Sequence, residues 1–377
     1  MADVPNLLAV TATPRRVRVR FADGTEGEFS AIWLLDNRPC DRDSHSGQRL
    51  IDVSDLPADP TVRTACADGE SVIVEWADGS SSSYAGSWLY SQCRAAALER
   101  PELQPRRWLE GAGMDGRTEF AWATLAALKS SDAHRLAWLT RLSVDGIAFL
   151  SNVPCTEGAI IEAVAHIGRV AETNYGLLFD VRSVARPENL AYSDLGLGLH
   201  TDNPYREPVP GFQALHVLVS SPDGGESLLA DGFALAEHLR VTDPEAFHCL
   251  ATTPVPFLYR SADAELYSEK PLIRLDARGQ VAAVHYNSRS IASLRMPPGD
   301  VEAFYKAYRC FAGLLRDPRF QLRMKLGDGD LMIFDNQRTL HGRTAFSSAR
   351  HPRHLQGCYL TRDSVLSEAA LLRRGIA

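Results

Sequence analysis

Hydrophobic and polar positions alternate strictly along Arg16-Val-Arg-Val-Arg-Phe21, with Val17, Val19 and Phe21 on one side and three arginines on the other. A two-residue period predicts a half-buried strand. Asp23-Gly24 comes next and supplies the residues a tight hairpin turn requires. The same grammar returns further along. Phe21-Ala-Asp-Gly, Phe29 and Trp33-Leu34 recur, position for position, as Trp76-Ala-Asp-Gly, Tyr84 and Trp88-Leu89. The chain is therefore expected to begin with a small β-rich domain over residues 1–100, built from two similar hairpin-and-Trp units packed together. Each Trp is expected in a core or an interface. Residues 101–117, polar and broken by Pro101, Pro105 and glycines, read as a linker.

From residue 118 the period changes. Helical apolar spacing over 120–128 and 133–142 predicts two helices, the second capped by Ser131 or Asp132. A buried strand is expected over 146–150, and a helix capped by Thr156 and running to about residue 170. From residue 190 onward short strands dominate, with two helical exceptions. One spans 232–250 and breaks at Asp243-Pro244. The other spans 300–315, where Val301, Phe304, Tyr305, Tyr308, Phe311 and Leu315 fall on one face. The fold class is mainly β with flanking helices (α+β).

With 377 residues, 45% of them hydrophobic, the chain is long enough for two domains and a substantial core. A net charge of −7 with no block of Lys or Arg gives nucleic acid and anionic membrane no footprint. No long apolar stretch and no charged-then-apolar leader is present, so no membrane span or secretory signal is expected, and the cytoplasm is the expected compartment. Seven cysteines without paired spacing fit reduced thiols rather than a disulfide framework.

The candidate chemistry starts at Gly198-Leu-His-Thr-Asp-Asn-Pro204. On an extended segment, residues two apart project to the same side, so His200 and Asp202 can offer an imidazole nitrogen and a carboxylate oxygen to one point. A third ligand is expected from a distant strand. His341 supplies it, after the apolar run that follows Asp330. Two His and one carboxylate leave about three of six octahedral positions open, as non-haem Fe(II) requires to bind an oxidisable co-substrate and O2 together. Arg353, on a further strand, is positioned to receive a co-substrate carboxylate as a bidentate pair. Short strands carrying His-x-Asp and a distant His fit a double-stranded β-helix, a jelly roll that holds the metal between two sheets.

These residues carry a resemblance. Gly-Leu-His-Thr-Asp, Gly-Phe-Gln-Ala-Leu-His (211–216), Gly-Gly-Glu-Ser-Leu-Leu-Ala-Asp-Gly-Phe (224–233), Phe-Asp-Asn, Leu-His-Gly-Arg and Arg-His-Leu-Gln-Gly-Cys-Tyr resemble the γ-butyrobetaine hydroxylase branch of the taurine dioxygenase superfamily. The likeness runs from about residue 17 to 371, and Trp33-Leu-Leu-Asp-Asn37 marks the branch. It implies an Fe(II)- and 2-oxoglutarate-dependent jelly-roll oxygenase over 118–377. O2 is the oxidant, and His200, Asp202 and His341 hold the iron. The far carboxylate of 2-oxoglutarate goes to Arg353 and Ser227, and the products are succinate, CO2 and a hydroxylated substrate.

The resemblance also implies the substrate. Tyr175, Phe179, Tyr192 and Tyr359 match the family's cage for a trimethylammonium group, with Phe179 where the family usually has Trp. Aromatic faces attract a cation that cannot donate hydrogen bonds. Asp180, next in the chain, would add a charge. Asn189 and Asn287 match positions facing the substrate's acid end, and Arg289 could strengthen it. Two acids stay open, γ-butyrobetaine and its phosphonate analogue 2-trimethylaminoethylphosphonate. The alternatives are trimethyllysine hydroxylation and a non-catalytic metal- or ligand-binding jelly roll. A homodimer is implied, with Trp33, Trp88 and Tyr90 available to it. Relatives hold a structural zinc through three clustered cysteines and a later His. Here only Cys40 remains and the His position falls near Ser80, so no zinc is expected.

Overall fold

The computed structural model describes residues 5–95, 104–182, 195–347 and 353–375. The chain divides into two compact units, Met1–Pro101 and Glu102–Ala377. In the first unit, two three-stranded antiparallel sheets repeat one design: Leu7–Thr13, Arg16–Phe21 and Glu26–Ser30, then Val62–Asp68, Ser71–Trp76 and Ser81–Ala85. Val17, Val19 and Phe21 are buried, as are their counterparts Val72, Val74 and Trp76. Each such side chain removed from water contributes roughly 1.5–3 kcal/mol. The two turns are equivalent in backbone as well, with Gly24 at φ +84° and Gly79 at φ +86°, a region that favours glycine. A helix follows each sheet, Ala31–Asp36 and Gly86–Ala95. Trp33 and Trp88, one from each helix, stack at 5.2 Å and 15°. The Tyr84 hydroxyl of the second repeat donates to the Leu34 carbonyl of the first at 2.6 Å.

The expected linker is a packed strap from residue 104 onward. Arg106 Nε donates to Asp145 Oδ1 at 2.6 Å, while Trp108 is buried, its backbone N–H on Asp231 Oδ2 and its indole N–H on the Asp145 carbonyl. Proline and glycine there signal irregular backbone, not absence of packing.

The second unit is a jelly roll. Its main sheet runs Phe179–Arg182, His354–Leu360, Phe212–Val219, Leu331–Asp335, Ile147–Ser151 and Ala121–Thr124, with Val170–Ala171 also on His354–Leu360. The smaller sheet runs Leu197–His200, Thr339–Arg343, Ser227–Asp231 and Leu322–Met324. Alternate residues of the two sheets line one cavity: Gln213, Leu215, Met332, Leu355 and Tyr359 from the first, His200, Ser227, His341 and Arg343 from the second. A buried ion pair anchors the smaller sheet. Arg338 reaches Asp231 through Nη2 at 2.8 Å and Nε at 3.1 Å, and also donates to the Val144 and Arg106 carbonyls.

Three expected helices differ. Residues 121–124 form a strand parallel to Ile147–Ser151, because Trp122 stacks on Phe149 at 4.6 Å; Thr124 then caps a short helix, Leu125–Ser130. The helix expected from Thr156 is confined to Ala159–Val164: Gly158 at φ +82° delays its start, and Val170 already pairs with Leu360 as strand. In Pro298–Arg316 the buried stripe is Phe304, Ala307, Phe311 and Leu315, while Tyr305 is exposed. Sequence analysis missed a further helix, Arg362–Arg374, whose Val365, Ala369 and Leu372 are buried.

Candidate active site

Register brings the two imidazoles together. His200 and His341 stand opposite each other on the paired strands Leu197–His200 and Thr339–Arg343, with ring centroids 4.3 Å apart. A Cβ at Gly342 would sit 2.4 Å from the Leu197 carbonyl oxygen, so the missing side chain is what permits this approach. Asp202 completes the cluster. Its Oδ1 lies 3.2 Å from His200 Nε2 and its Oδ2 3.9 Å from His341 Nε2, and the three ligand atoms all fall within 4.8 Å of one another.

The protonation states suit a divalent ion. Burial pushes the Asp202 carboxyl up, but the close approach of His200, the nearby His341 imidazole and the Tyr359 hydroxyl outweigh it and hold it well below the usual carboxylate range. Burial, with His200 and Arg289 nearby, pulls His341 down to about 3, so this imidazole is neutral. His200 Nδ1 donates to the Gly198 carbonyl at 2.9 Å, which leaves the Nε2 lone pair for a metal. Two imidazole nitrogens and an ionised carboxylate on one side, with open cavity on the other, form a donor set that fits Fe(II).

The backbone around Asp202 is fixed by residues to which sequence analysis assigned no role. Asn336 accepts from the Asp202 N–H at 2.7 Å and donates to the Asp202 carbonyl at 2.9 Å. Its signal was present in the Phe-Asp-Asn motif that precedes His341. Arg343 was also passed over; it lines the cavity two residues beyond His341, on the same side of its strand.

One end of the cavity is cationic. Arg353, Arg343 and Ser227 line it, and both guanidinium groups lie against the Phe346 ring, at 5.4 and 5.3 Å. Burial and the neighbouring Arg343 pull Arg353 down to about 10. Tyr175, Phe179 and Tyr359 form an aromatic wall at the cavity, with centroids 6.4 Å apart for Tyr175–Phe179 and 5.2 Å for Phe179–Tyr359. Tyr259 meets Tyr175 edge-on at 6.0 Å and stacks on Tyr205. Tyr359 also donates to Asp202 Oδ2 at 2.9 Å; burial, then that carboxylate, raises its pKa well above the usual phenol.

Several expected residues sit elsewhere. Asp180 does not face the cavity: it follows Phe179 on a strand and so points to the opposite side, where it meets His354 Nε2 at 2.7 Å and Gln356. Asn287 is buried and spends its amide on the Thr201 carbonyl and the Arg289 N–H, bracing the ligand loop without lining the metal cavity. Arg289 does line the cavity. Asn189 and Tyr192 lie outside the described residues. Cys40 is exposed, and among the described residues His200, Asp202 and His341 make the one cluster of metal-ligand type.

A jelly roll with this three-residue ligand set at one edge of a cavity, and desolvated arginines within it, defines a non-haem iron oxygenase. Residues 112–359 match the taurine catabolism dioxygenase TauD, TfdA family, and residues 8–90 match the γ-butyrobetaine hydroxylase-like N-terminal family. The γ-butyrobetaine dioxygenase of Pseudomonas sp. (strain AK-1) is 36% identical over 95% of this chain and 94% of that one. The human γ-butyrobetaine dioxygenase is 28% identical over 96% and 95%. Human mitochondrial trimethyllysine dioxygenase is 29% identical over 91% and 82%. The chain belongs to the TauD/TfdA dioxygenase family. It is an enzyme, a hydroxylase that uses Fe(II), 2-oxoglutarate and O2 on a small molecule.

Proposed function

We propose that this enzyme hydroxylates an unactivated C–H bond of a small trimethylammonium acid, either γ-butyrobetaine or its phosphonate analogue. The observation that carries this reading is the continuous ring wall of Tyr175, Phe179 and Tyr359 beside the metal ligands. The γ-butyrobetaine dioxygenases among its relatives support it.

Fe(II) with its co-substrate and O2 supplies the oxidising power that converts 2-oxoglutarate to succinate and CO2 and hydroxylates the substrate. The chain's own residues do the rest. His200, Asp202 and His341 hold the ion on one side and leave the other open. Arg353, with Ser227, receives the far carboxylate of 2-oxoglutarate as a charge-assisted pair. Val181, Leu215, Met332 and Leu355 keep that part of the cavity apolar and water out. The rings hold the trimethylammonium group, and Arg289 faces the acid. A phosphonate dianion gains more from Arg289 than a carboxylate does.

The test compares the trimethylammonium substrate with its neutral, isosteric tert-butyl analogue. Shape and apolar area stay nearly constant, while the cation–π attraction is lost. Binding by calorimetry is expected to weaken by about 2 kcal/mol, roughly thirtyfold. Equal affinity would show that the rings are ordinary packing.

In the same reading residues 1–100 form a separate N-terminal domain, and the enzyme is a cytoplasmic homodimer. Among the described residues no helix is long and apolar enough to cross a membrane. Light scattering that shows only monomer at micromolar concentration would remove the dimer.

A further inference from the structure

Asn203 follows the ligand Asp202 in the chain, and its backbone takes φ +54°. Asparagine tolerates this left-handed conformation, and glycine tolerates it better. Backbone shape alone would explain an asparagine here, but the side chain does more than fill a turn. It is only 5% exposed and it lines the metal cavity. Its Oδ1 accepts from the Tyr205 hydroxyl at 2.6 Å, while its Nδ2 has no hydrogen-bond partner among the described residues. Buried amide donors are nearly always paired, so an unpaired one at a ligand cavity calls for an acceptor carried by the ligand.

The direction of this amide is set by its neighbours. Tyr205 has one hydroxyl proton and gives it to Asn203, so in the 3.3 Å contact between the Tyr175 and Tyr205 hydroxyls Tyr175 is the donor. Tyr205 is itself held by stacking on Tyr259, at 5.1 Å and 22°. The sequence of donors from Tyr175 through Tyr205 to Asn203 therefore leads from the aromatic wall to an unspent N–H. Arg289 stands at the same place: it lines the cavity, and Asp202 and Tyr205 are both close enough to act on its charge. Asn287, the carboxamide expected to face the acid, is committed to the Thr201 carbonyl and the Arg289 N–H.

We propose that Asn203 is the carboxamide that binds the substrate's acid, donating Nδ2–H to one acid oxygen while Arg289 meets the charge, and that Tyr205 is the positioning residue that turns the amide toward it. The assignment rests on the trimethylammonium-acid reading and adds the residue that recognises the acid. An ionised acid oxygen is the strongest acceptor an amide N–H can find in a desolvated pocket. The trimethylammonium group offers no acceptor at all. The other acid that comes to the metal is the co-substrate's, and the test tells the two apart.

The test is calorimetric, on protein loaded anaerobically with Fe(II) and 2-oxoglutarate, and 2-oxoglutarate is titrated separately into the Fe(II) protein. γ-Butyrobetaine and 2-trimethylaminoethylphosphonate are each compared with butyltrimethylammonium, which keeps the cation and lacks the acid. Asn203→Gly is the informative variant, because glycine accepts a φ of +54° and removes only the side chain. It is expected to narrow the preference for acid over acid-free ligand about tenfold, as loss of a hydrogen bond to a charged group does. Tyr205→Phe keeps the stacked ring and frees the amide to turn, and should narrow the same preference about threefold. A merely structural role would weaken all three ligands alike, so an unchanged preference in Asn203→Gly overturns the assignment. A fall in 2-oxoglutarate affinity with the preference intact gives the amide to the co-substrate and overturns it as well. If the unsubstituted protein binds neither acid more tightly than butyltrimethylammonium, the trimethylammonium-acid reading itself falls and the assignment with it, which separates the two failures.

Discussion

The two ends of the metal cavity recognise charge by opposite means. At one, Arg343 and Arg353 flank Phe346 and reach in as desolvated guanidinium groups, with Ser227 beside them. At the other, among the described residues, the faces and edges of Tyr175, Phe179 and Tyr359 form the wall. An anion with directional lone pairs is gripped by donors of fixed geometry. A cation without donors can be gripped only by quadrupoles. The energies differ accordingly: burying the Arg353 guanidinium is costly until an anion meets it, whereas a ring without its cation is still a packed ring. One end is therefore poised and the other content, and substitutions should separate them.

The largest effect belongs to neither end but to the ligands between them. His341→Ala should lower 2-oxoglutarate decarboxylation by at least ~100-fold. Its melting temperature should stay close to that of the unsubstituted chain, because His341 Nδ1 has no hydrogen-bond partner to lose. Full activity would dismiss the triad. At the cationic end, Arg353→Ala should weaken 2-oxoglutarate by about 2–5 kcal/mol with little change in stability, read as KM against denaturant midpoint. Arg338→Ala supplies the contrast. That arginine already has Asp231, so its loss should cost about 3–5 kcal/mol of stability and leave the KM of the folded fraction alone. Tyr359→Phe comes next, because it keeps the ring and removes the hydroxyl on Asp202. Fe(II) affinity should fall about tenfold, by titration, while selectivity for the cation over its neutral isostere is retained. The smallest effect is expected from Phe179→Trp, a few-fold gain for the cationic substrate over the neutral one, since Trp offers the stronger quadrupole. Gly357 makes room for that exchange. A Cβ there would lie 2.4 Å from the Phe179 ring, so Gly357→Ala should displace the ring and reverse the gain.

The metal site was legible in the sequence because a two-residue spacing on a strand fixes which side chains share a face. The same rule, applied to the neighbours, would have turned Asp180 away from Phe179's side and brought Arg343 to His341's side. The direction of Asn287 was not legible for another reason. This residue sits in a turn, where sequence spacing does not determine direction, and its amide goes to the Thr201 carbonyl. The helix expected over 120–128 failed in its first half because a short apolar run has no unambiguous period. Only the stacking of Trp122 on Phe149 makes it a strand, and that contact is tertiary. The repeat in the first unit could be read because its turn chemistry, Asp-Gly after an aromatic, is local.

That repeat has an optical consequence. Two indoles 5.2 Å apart and nearly parallel couple their excited states, so Trp33 and Trp88 should give a paired positive and negative band in circular dichroism that a lone indole lacks. The signal reports contact between the two halves of the first unit and is silent about iron. A single Trp33→Phe exchange would erase it. The unsubstituted chain thus carries its own label for following one unit while the other is loaded, emptied or unfolded.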